Sequence, residues 1–333
     1  MTREKTFIIA EMACSHEGQV QLARDIIDGA GKAGADAVQL QIWAVASMMA
    51  PTRKEYEMLT KIELSQELWS QLVTYSRTNY PDMEVYAFVY EHKSIPFIDS
   101  LNVDGFKLNS SDLSNPLMLE AVAKTGKRVN LSVGASTLME IQNAVSQIQS
   151  ISDSQITLMY GYQNFPTRNE DVHLNYMNKL KEMFELPVGY QDHSDADGQA
   201  AFWLPAAAMG MDCDVLEKHI THDRFFKGID HESALNPGEF KTFVEMVQTI
   251  DEARGKSTPR SFSADEIKYR KFQKKSIVAA RHLPENTTIG PGDLIFLRAD
   301  DLGYSPDQVD KLIGKVLLKQ IEAYELIEEQ DLK

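Results

Sequence analysis

The sequence predicts an α/β fold, a (β/α)8 TIM barrel followed by a small β-rich domain, and three observations carry that prediction. Short apolar runs occur at 7–13, 37–43, 84–90, 105–110, 128–134, 155–161, 187–193 and 215–220, and eight is the strand count of such a barrel. Amphipathic stretches lie between them at 19–33, 65–78, 114–125, 137–148, 171–184 and 197–209, each long enough for a right-handed crossover helix. After a further helix at about 237–255, the stretch Gly255-Lys-Ser-Thr-Pro-Arg-Ser-Phe-Ser263 breaks the repeat, and later apolar runs are short and β-like.

Taken in order, all but the third strand share one property: polar residues at or just after the carboxyl end. The first, Phe7-Ile8-Ile9-Ala10, runs into Glu11, a carboxylate that is costly to bury unless paired or reactive. The second carries Gln39 and Gln41, the fourth Lys107 with Asn109 and Ser110, and the fifth Asn130 with Ser132. Gln163 follows the sixth, Gln191 and His193 end the seventh, and Glu217 and His219 end the eighth. Alternation places these on the inner face, and the carboxyl ends of barrel strands are where catalytic groups gather. Among the helices, Asn115-Pro116 and Asn236-Pro237 are good starts, with proline in the first turn. The expected domains are a barrel over 1–258, a linker over 259–274 that includes a charged stretch, and a small domain over 275–333. That last piece, with runs at Ser276-Ile-Val-Ala-Ala280, Thr288-Ile289, Leu294-Ile-Phe-Leu-Arg298 and Gly314-Lys-Val-Leu-Leu318, is marginal alone and is expected to dock onto something.

Composition narrows the function classes. With 333 residues, 43% hydrophobic and 25% charged, the chain has the makings of a full barrel core. A net charge of −15 argues against nucleic acid as a partner, since phosphate backbones demand clustered lysine and arginine. The Met1-Thr-Arg-Glu-Lys5 lead is too short for a secretory signal, and no apolar run reaches membrane-spanning length. Cys14 and Cys213 show no CxxC spacing, so neither a disulfide framework nor a zinc ribbon is expected, and a cytoplasmic location is.

The chemistry concentrates at two histidines. His193, in Gly189-Tyr-Gln-Asp-His193, and His219, in Leu216-Glu-Lys-His219, sit at matching ends of consecutive strands. A lone histidine is more often a packed structural residue, but neutral imidazoles converging on one mouth suit a divalent cation with open positions. Ser110-Ser111 and Ser132-Val-Gly134 offer hydroxyl and backbone donors for an anion, with Lys107 as a fixed charge.

These residues, with Ile8-Ile-Ala-Glu11, His16-Glu-Gly18, Gly34-Ala-Asp-Ala-Val38, Lys107-Leu-Asn-Ser110, Phe165-Pro-Thr167, Glu217-Lys-His219 and Asp230-His231 in the same order, resemble the bacterial sialic acid synthase family. The C-terminal part, with Leu297-Arg298 and Leu312-Ile-Gly-Lys315, is similar to that family's antifreeze-like (SAF) domain. The resemblance implies condensation of phosphoenolpyruvate with an N-acylated amino sugar, giving a nine-carbon 2-keto-3-deoxy acid and phosphate. It implies that His193 and His219 hold a divalent metal, manganese first with magnesium or cobalt as alternatives, and that Glu11 stands near the reacting centre. Gln39, Lys107, Ser110, Ser132, Gln163, Phe165 and Gln191 fall at substrate-contacting positions. Asp230 matches a sugar-hydroxyl acceptor, and Arg298 an arginine that reaches the sugar's acyl group in the partner of a domain-swapped homodimer.

Three departures fall on the anion side. Gln39 stands where the family usually has lysine, Gln191 where it usually has serine, and the loop before Pro166 reads Tyr160-Gly-Tyr-Gln-Asn-Phe165. An amide hydrogen-bonds phosphate without charge assistance. The alternative expectation is therefore a catalytically altered paralogue that binds a sugar or uses a different donor.

Overall fold

In the computed structural model, which describes residues 5–255 and 258–333, the chain divides into two compact units, Met1–Gly255 and Lys256–Lys333. The lead Met1–Glu4 and the residues next to the expected boundary at 258, Lys256 and Ser257, lie outside the described residues.

The first unit is a closed parallel barrel of β1 (Phe7–Glu11), β2 (Ala37–Ile42), β3 (Glu84–Val89), β4 (Gly105–Leu108), β5 (Arg128–Ser132), β6 (Ile156–Tyr160), β7 (Val188–Asp192) and β8 (Val215–His219). Strand β8 closes on β1, with Glu11 opposite His219. Outside it lie α1 (Val20–Ala33), α2 (Val45–Met48), α3 (Tyr56–Ile62), α4 (Gln66–Asn79), α5 (Ile95–Ser100), α6 (Pro116–Ala123), α7 (Leu138–Ile151), α8 (Asn175–Phe184), α9 (Ala200–Gly210) and α10 (Pro237–Arg254).

Local chemistry explains these limits. Helix α6 starts where Asn115 Oδ1 accepts from the Met118 amide at 3.3 Å, with Pro116 in the first turn, whose missing N–H costs nothing there. Helix α7 starts on a reciprocal Thr137–Glu140 box and α10 on an Asn236–Glu239 box. The main core lies between strands and helices, where Ile8, Ala10, Val38, Leu40, Phe106, Leu131 and Leu158 are fully buried. A small second cluster of Ile9, Ala37, Tyr86, Met159 and Val215 fills the barrel itself. The strand interior is therefore apolar low down and polar at the carboxyl end.

The second unit pairs β9 (Ser276–Ala279) antiparallel with β10 (Leu294–Leu297) around Ile277, Leu283, Ile289, Leu312, Leu317, Ile321 and Ile327. The stretch 259–274, expected as a linker, carries helix α11 (Ala264–Gln273). Ser263 and Glu266 cap it reciprocally, and Arg260 holds the Glu266 carboxylate at 2.6 Å. A charged helix with no buried residue gives no apolar periodicity to read, which is why the pattern did not show it.

Candidate active site

Alternation along the strands turns Glu11, Gln39, Lys107, Ser132, Gln191, Glu217 and His219 inward, and hydrogen bonds and ring contacts sort them into three groups at one mouth. All seven are buried.

The first group is a floor of charge. Lys107 Nζ donates to Glu217 Oε1, while Gln39 Nε2 donates to Glu11 Oε2 and, at 3.2 Å, to Glu217 Oε2. Glu11 Oε1 accepts from Gln41 Nε2 at 2.9 Å and from the Ala13 amide at 2.8 Å. Lys107 Nζ also lies 4.6 Å from the centre of the Phe88 ring, a cation–π contact. Burial first, and the Glu217 carboxylate second, push the Glu11 carboxyl up to about 7 against the opposing pull of Lys107. Two carboxylates thus stand against one lysine and two neutral amides, with Gln39 alone bridging both. Glu217 was visible in the sequence as a polar strand end, but nothing there gave it this role.

The second group is neutral. Gln191 Nε2 donates to Ser132 Oγ at 3.0 Å, and the Gln163 amide reaches the same hydroxyl at 3.4 Å. Close backbone approach makes this possible: a Cβ on Gly134 would collide with the Gly161 carbonyl oxygen, and one on Gly161 with Gln191.

The third group is aromatic. The His193 and His219 rings lie 5.4 Å apart at 82°, and Phe165 packs 4.3 Å from His193 and 6.0 Å from His219. Burial lowers His193 to about 4 and holds His219 well below the ordinary imidazole range, with Lys107 adding to both, so both rings are neutral. His193 Nδ1 lies 2.9 Å from the Tyr162 carbonyl oxygen, which only accepts; Nδ1 therefore carries the proton and Nε2 the lone pair. Buried Nδ1 of His219 has no hydrogen-bond partner. Among the described residues no group of three or more His, Cys, Asp or Glu side chains is placed to hold an ion.

Of the remaining expected residues, Asp230 is half-buried in a left-handed turn and takes a hydrogen bond from the Cys14 backbone, beside Glu11's strand end. Ser110 opens a short turn, Ser110–Asp112, just after β4. Arg298 is exposed just after β10 in the second unit. Asn130, expected with Ser132, lines a cavity at the opposite end of the barrel.

The NeuB family profile matches residues 26–259, and the SAF domain profile matches 274–333. The chain belongs to the NeuB family. The N,N'-diacetyllegionaminic acid synthase of Legionella pneumophila is 30% identical over 339 residues, covering 95% of this chain and 92% of that one. The human N-acetylneuraminate-9-phosphate synthase is 28% identical, covering 97% and 92%. Among solved structures, the N-acetylneuraminic acid synthetase of Leptospira borgpetersenii superposes with a TM-score of 0.73 at 28% identity, covering 80% of this chain and 92% of that one. This NeuB-family chain is an enzyme of the sialic acid synthase type. No helix among its described residues is long and apolar enough to cross a membrane.

Proposed function

We propose that the enzyme condenses phosphoenolpyruvate with the open-chain carbonyl of an N-acylated amino sugar, giving a nine-carbon 2-keto-3-deoxy acid and phosphate. The observation that carries this reading is the placing of two neutral imidazoles next to a buried carboxyl that titrates near 7. The unpartnered Nδ1 of His219 and the lone pair on His193 Nε2 fit a divalent metal, manganese or else magnesium or cobalt, completed by oxygen ligands. Such an ion supplies Lewis-acid polarisation of the sugar carbonyl.

The chain's own residues account for the protons. Carbon 3 of the donor bonds to the aldehyde carbon, whose oxygen then needs a proton. Water adds at donor carbon 2 and must lose one before phosphate departs. Glu11, poised between its two forms at neutral pH, delivers the first proton and recovers the second. Ser132, Gln163 and Gln191 supply neutral donors for the donor's anionic groups, and Gln39 holds Glu11 in place. Phe165 walls the histidine side, and Asp230 at the rim suits a sugar hydroxyl. Arg298 completes the sugar pocket of a second copy in a homodimer, working in the cytoplasm where the donor is made. Mixing Glu11→Ala with Arg298→Ala subunits tests this, with partial recovery of activity expected in verified mixed dimers.

A second reading is favoured by one observation: Lys107 is already engaged by Glu217, and Gln39 adds no charge, so the floor carries two carboxylates against one cation. That balance suits a donor with less negative charge than phosphoenolpyruvate, such as pyruvate. Incubation with either donor, manganese and a panel of N-acylated hexosamines separates the two. Phosphate release with a nine-carbon product mass supports the first; product from pyruvate alone overturns it.

A further inference from the structure

Opposite the catalytic mouth, at the amino-terminal ends of the strands, lies a cavity of about 540 Å³. That volume falls within the range of small-molecule sites and far exceeds a single inorganic anion. Its walls include Lys5, Phe7, Tyr86, Arg128, Asn130 and Gln149. The apolar cluster of Ile9, Ala37 and Met159 stands between it and the charged floor above.

Three features of this lining point to a ligand. Asn130 is 4% exposed, yet its Nδ2 makes no hydrogen bond, and a buried amide donor without an acceptor is the exception in folded proteins. Arg128 spends one guanidinium nitrogen on Glu84 and lies 5.4 Å from the Tyr86 ring centre and 5.8 Å from that of Phe7, while its other donors bond no described residue. Lys5 adds a second cation, held by Asp36 at 2.9 Å. The acid in the lining, Asp214, is bound to Lys181 at 3.0 Å and to the Val188 amide at 2.9 Å, so no unpaired acid among the described lining residues competes for the Asn130 amide or the remaining Arg128 donors.

We propose that this amino-terminal mouth is a second binding site, for a small organic carboxylate. The carboxylate takes hydrogen bonds from the free edge of the Arg128 fork and from Asn130, and its carbon body lies against Phe7 and Tyr86. The apolar walls and the volume select an organic body over bare phosphate. The site is independent of the chemistry at the other end of the barrel.

Ligand-detected NMR with benzoate, gluconate, benzyl alcohol and inorganic phosphate tests this on the full chain. Saturable binding of benzoate or gluconate is expected, with none by benzyl alcohol. Asn130→Leu, which keeps the side-chain shape without the donor, should weaken it roughly tenfold, the worth of one charge-assisted hydrogen bond. Gln149→Trp, on an exposed position of α7 at the cavity edge, should block it while leaving the thermal midpoint unchanged. This second variant decides the matter if Asn130→Leu does not fold. Absence of saturable carboxylate binding, binding undiminished in Gln149→Trp, or equally tight binding of phosphate would each overturn the proposal.

Discussion

Two buried ion pairs stand back to back on β8. Glu217 points into the barrel and pairs with Lys107, while Lys218, the next residue, points outward and pairs with Asp192 on β7. All four side chains are at most 3% exposed. The outer acid is saturated: besides Lys218, Asp192 accepts from the Tyr190 hydroxyl at 2.8 Å, the Ser194 hydroxyl at 2.8 Å and the Ser194 amide at 3.2 Å. The inner pair shares its space with a second carboxylate, Glu11, bridged only by the neutral amide of Gln39. Two lysine–carboxylate pairs one strand position apart therefore do different work. The outer pair is closed and locks packing; the inner group carries surplus negative charge that a proton or a ligand must balance.

The sharpest break of that comparison lies one residue beyond Asp192. His193 faces inward with His219, so the His193→Ala, His219→Ala double variant should lose all detectable turnover while remaining folded, because neutral buried rings leave no uncompensated charge behind. Activity assays with and without chelator, beside a thermal melt, read both sides. Retained turnover would remove the metal role from this pair.

Next in size is the outer pair. Lys218→Met leaves the Asp192 carboxylate buried without its cation, and removing one partner of such a pair costs about 3–5 kcal/mol. Denaturant unfolding should show that loss, whereas Lys107→Met should cost less stability and more activity, since Glu217 keeps Gln39 as a donor. Equal stability losses in the two variants would erase the distinction between the faces.

Much of this was legible in the sequence, because most of the strands are short apolar runs with polar residues at or near their carboxyl ends, and alternation gives the face of each side chain. The inward placement of Glu11, Gln39, Lys107, Gln191 and His219 followed from that alone. Alternation gives the face but not the depth, so Asn130, two residues before Ser132, was grouped with the catalytic end yet lines the cavity at the other. The Lys107–Glu217 pair joins β4 to β8 across the closed barrel, and no local pattern encodes a contact between residues 110 positions apart. Short helices under the loops, α2, α3 and α5, were equally silent: four to seven residues are too few to show a helical period.

Gln39 gives a smaller effect and sharpens the inner group. Replacing it with lysine adds a cation between Glu11 and Glu217. A charge-assisted hydrogen bond is worth about 1.5–3 kcal/mol, so Gln39→Lys should lower the KM for phosphoenolpyruvate by roughly one to two powers of ten. Steady-state kinetics with both donors check it. A variant that gains nothing with phosphoenolpyruvate and loses activity with pyruvate would favour the less charged donor.

The smallest expected effect concerns the proton on Glu11. An ordinary glutamate titrates near 4.5, and burial beside Glu217 raises this one to about 7. The fold thus favours the protonated carboxyl: its stabilising contribution is complete below about 4.5 and is lost as the pH rises through 7. The buried histidines act with the opposite sign. His16 and His193 fall from 6.5 to about 4 and His219 lies well below 6.5, so their contribution disappears as the pH falls below 6.5. The two trends overlap in the wild type and mask each other. Glu11→Gln keeps the side-chain shape, removes the titration and leaves all three histidines in place. Subtracting its unfolding free energy from that of the wild type at several pH values isolates the glutamate. The difference should move against the wild type between pH 4.5 and 7 and be flat below. A difference that does not change with pH would mean that Glu11 titrates as it does in the unfolded chain and is ionised at neutral pH, and the proton needed at the new alkoxide would have to come from elsewhere.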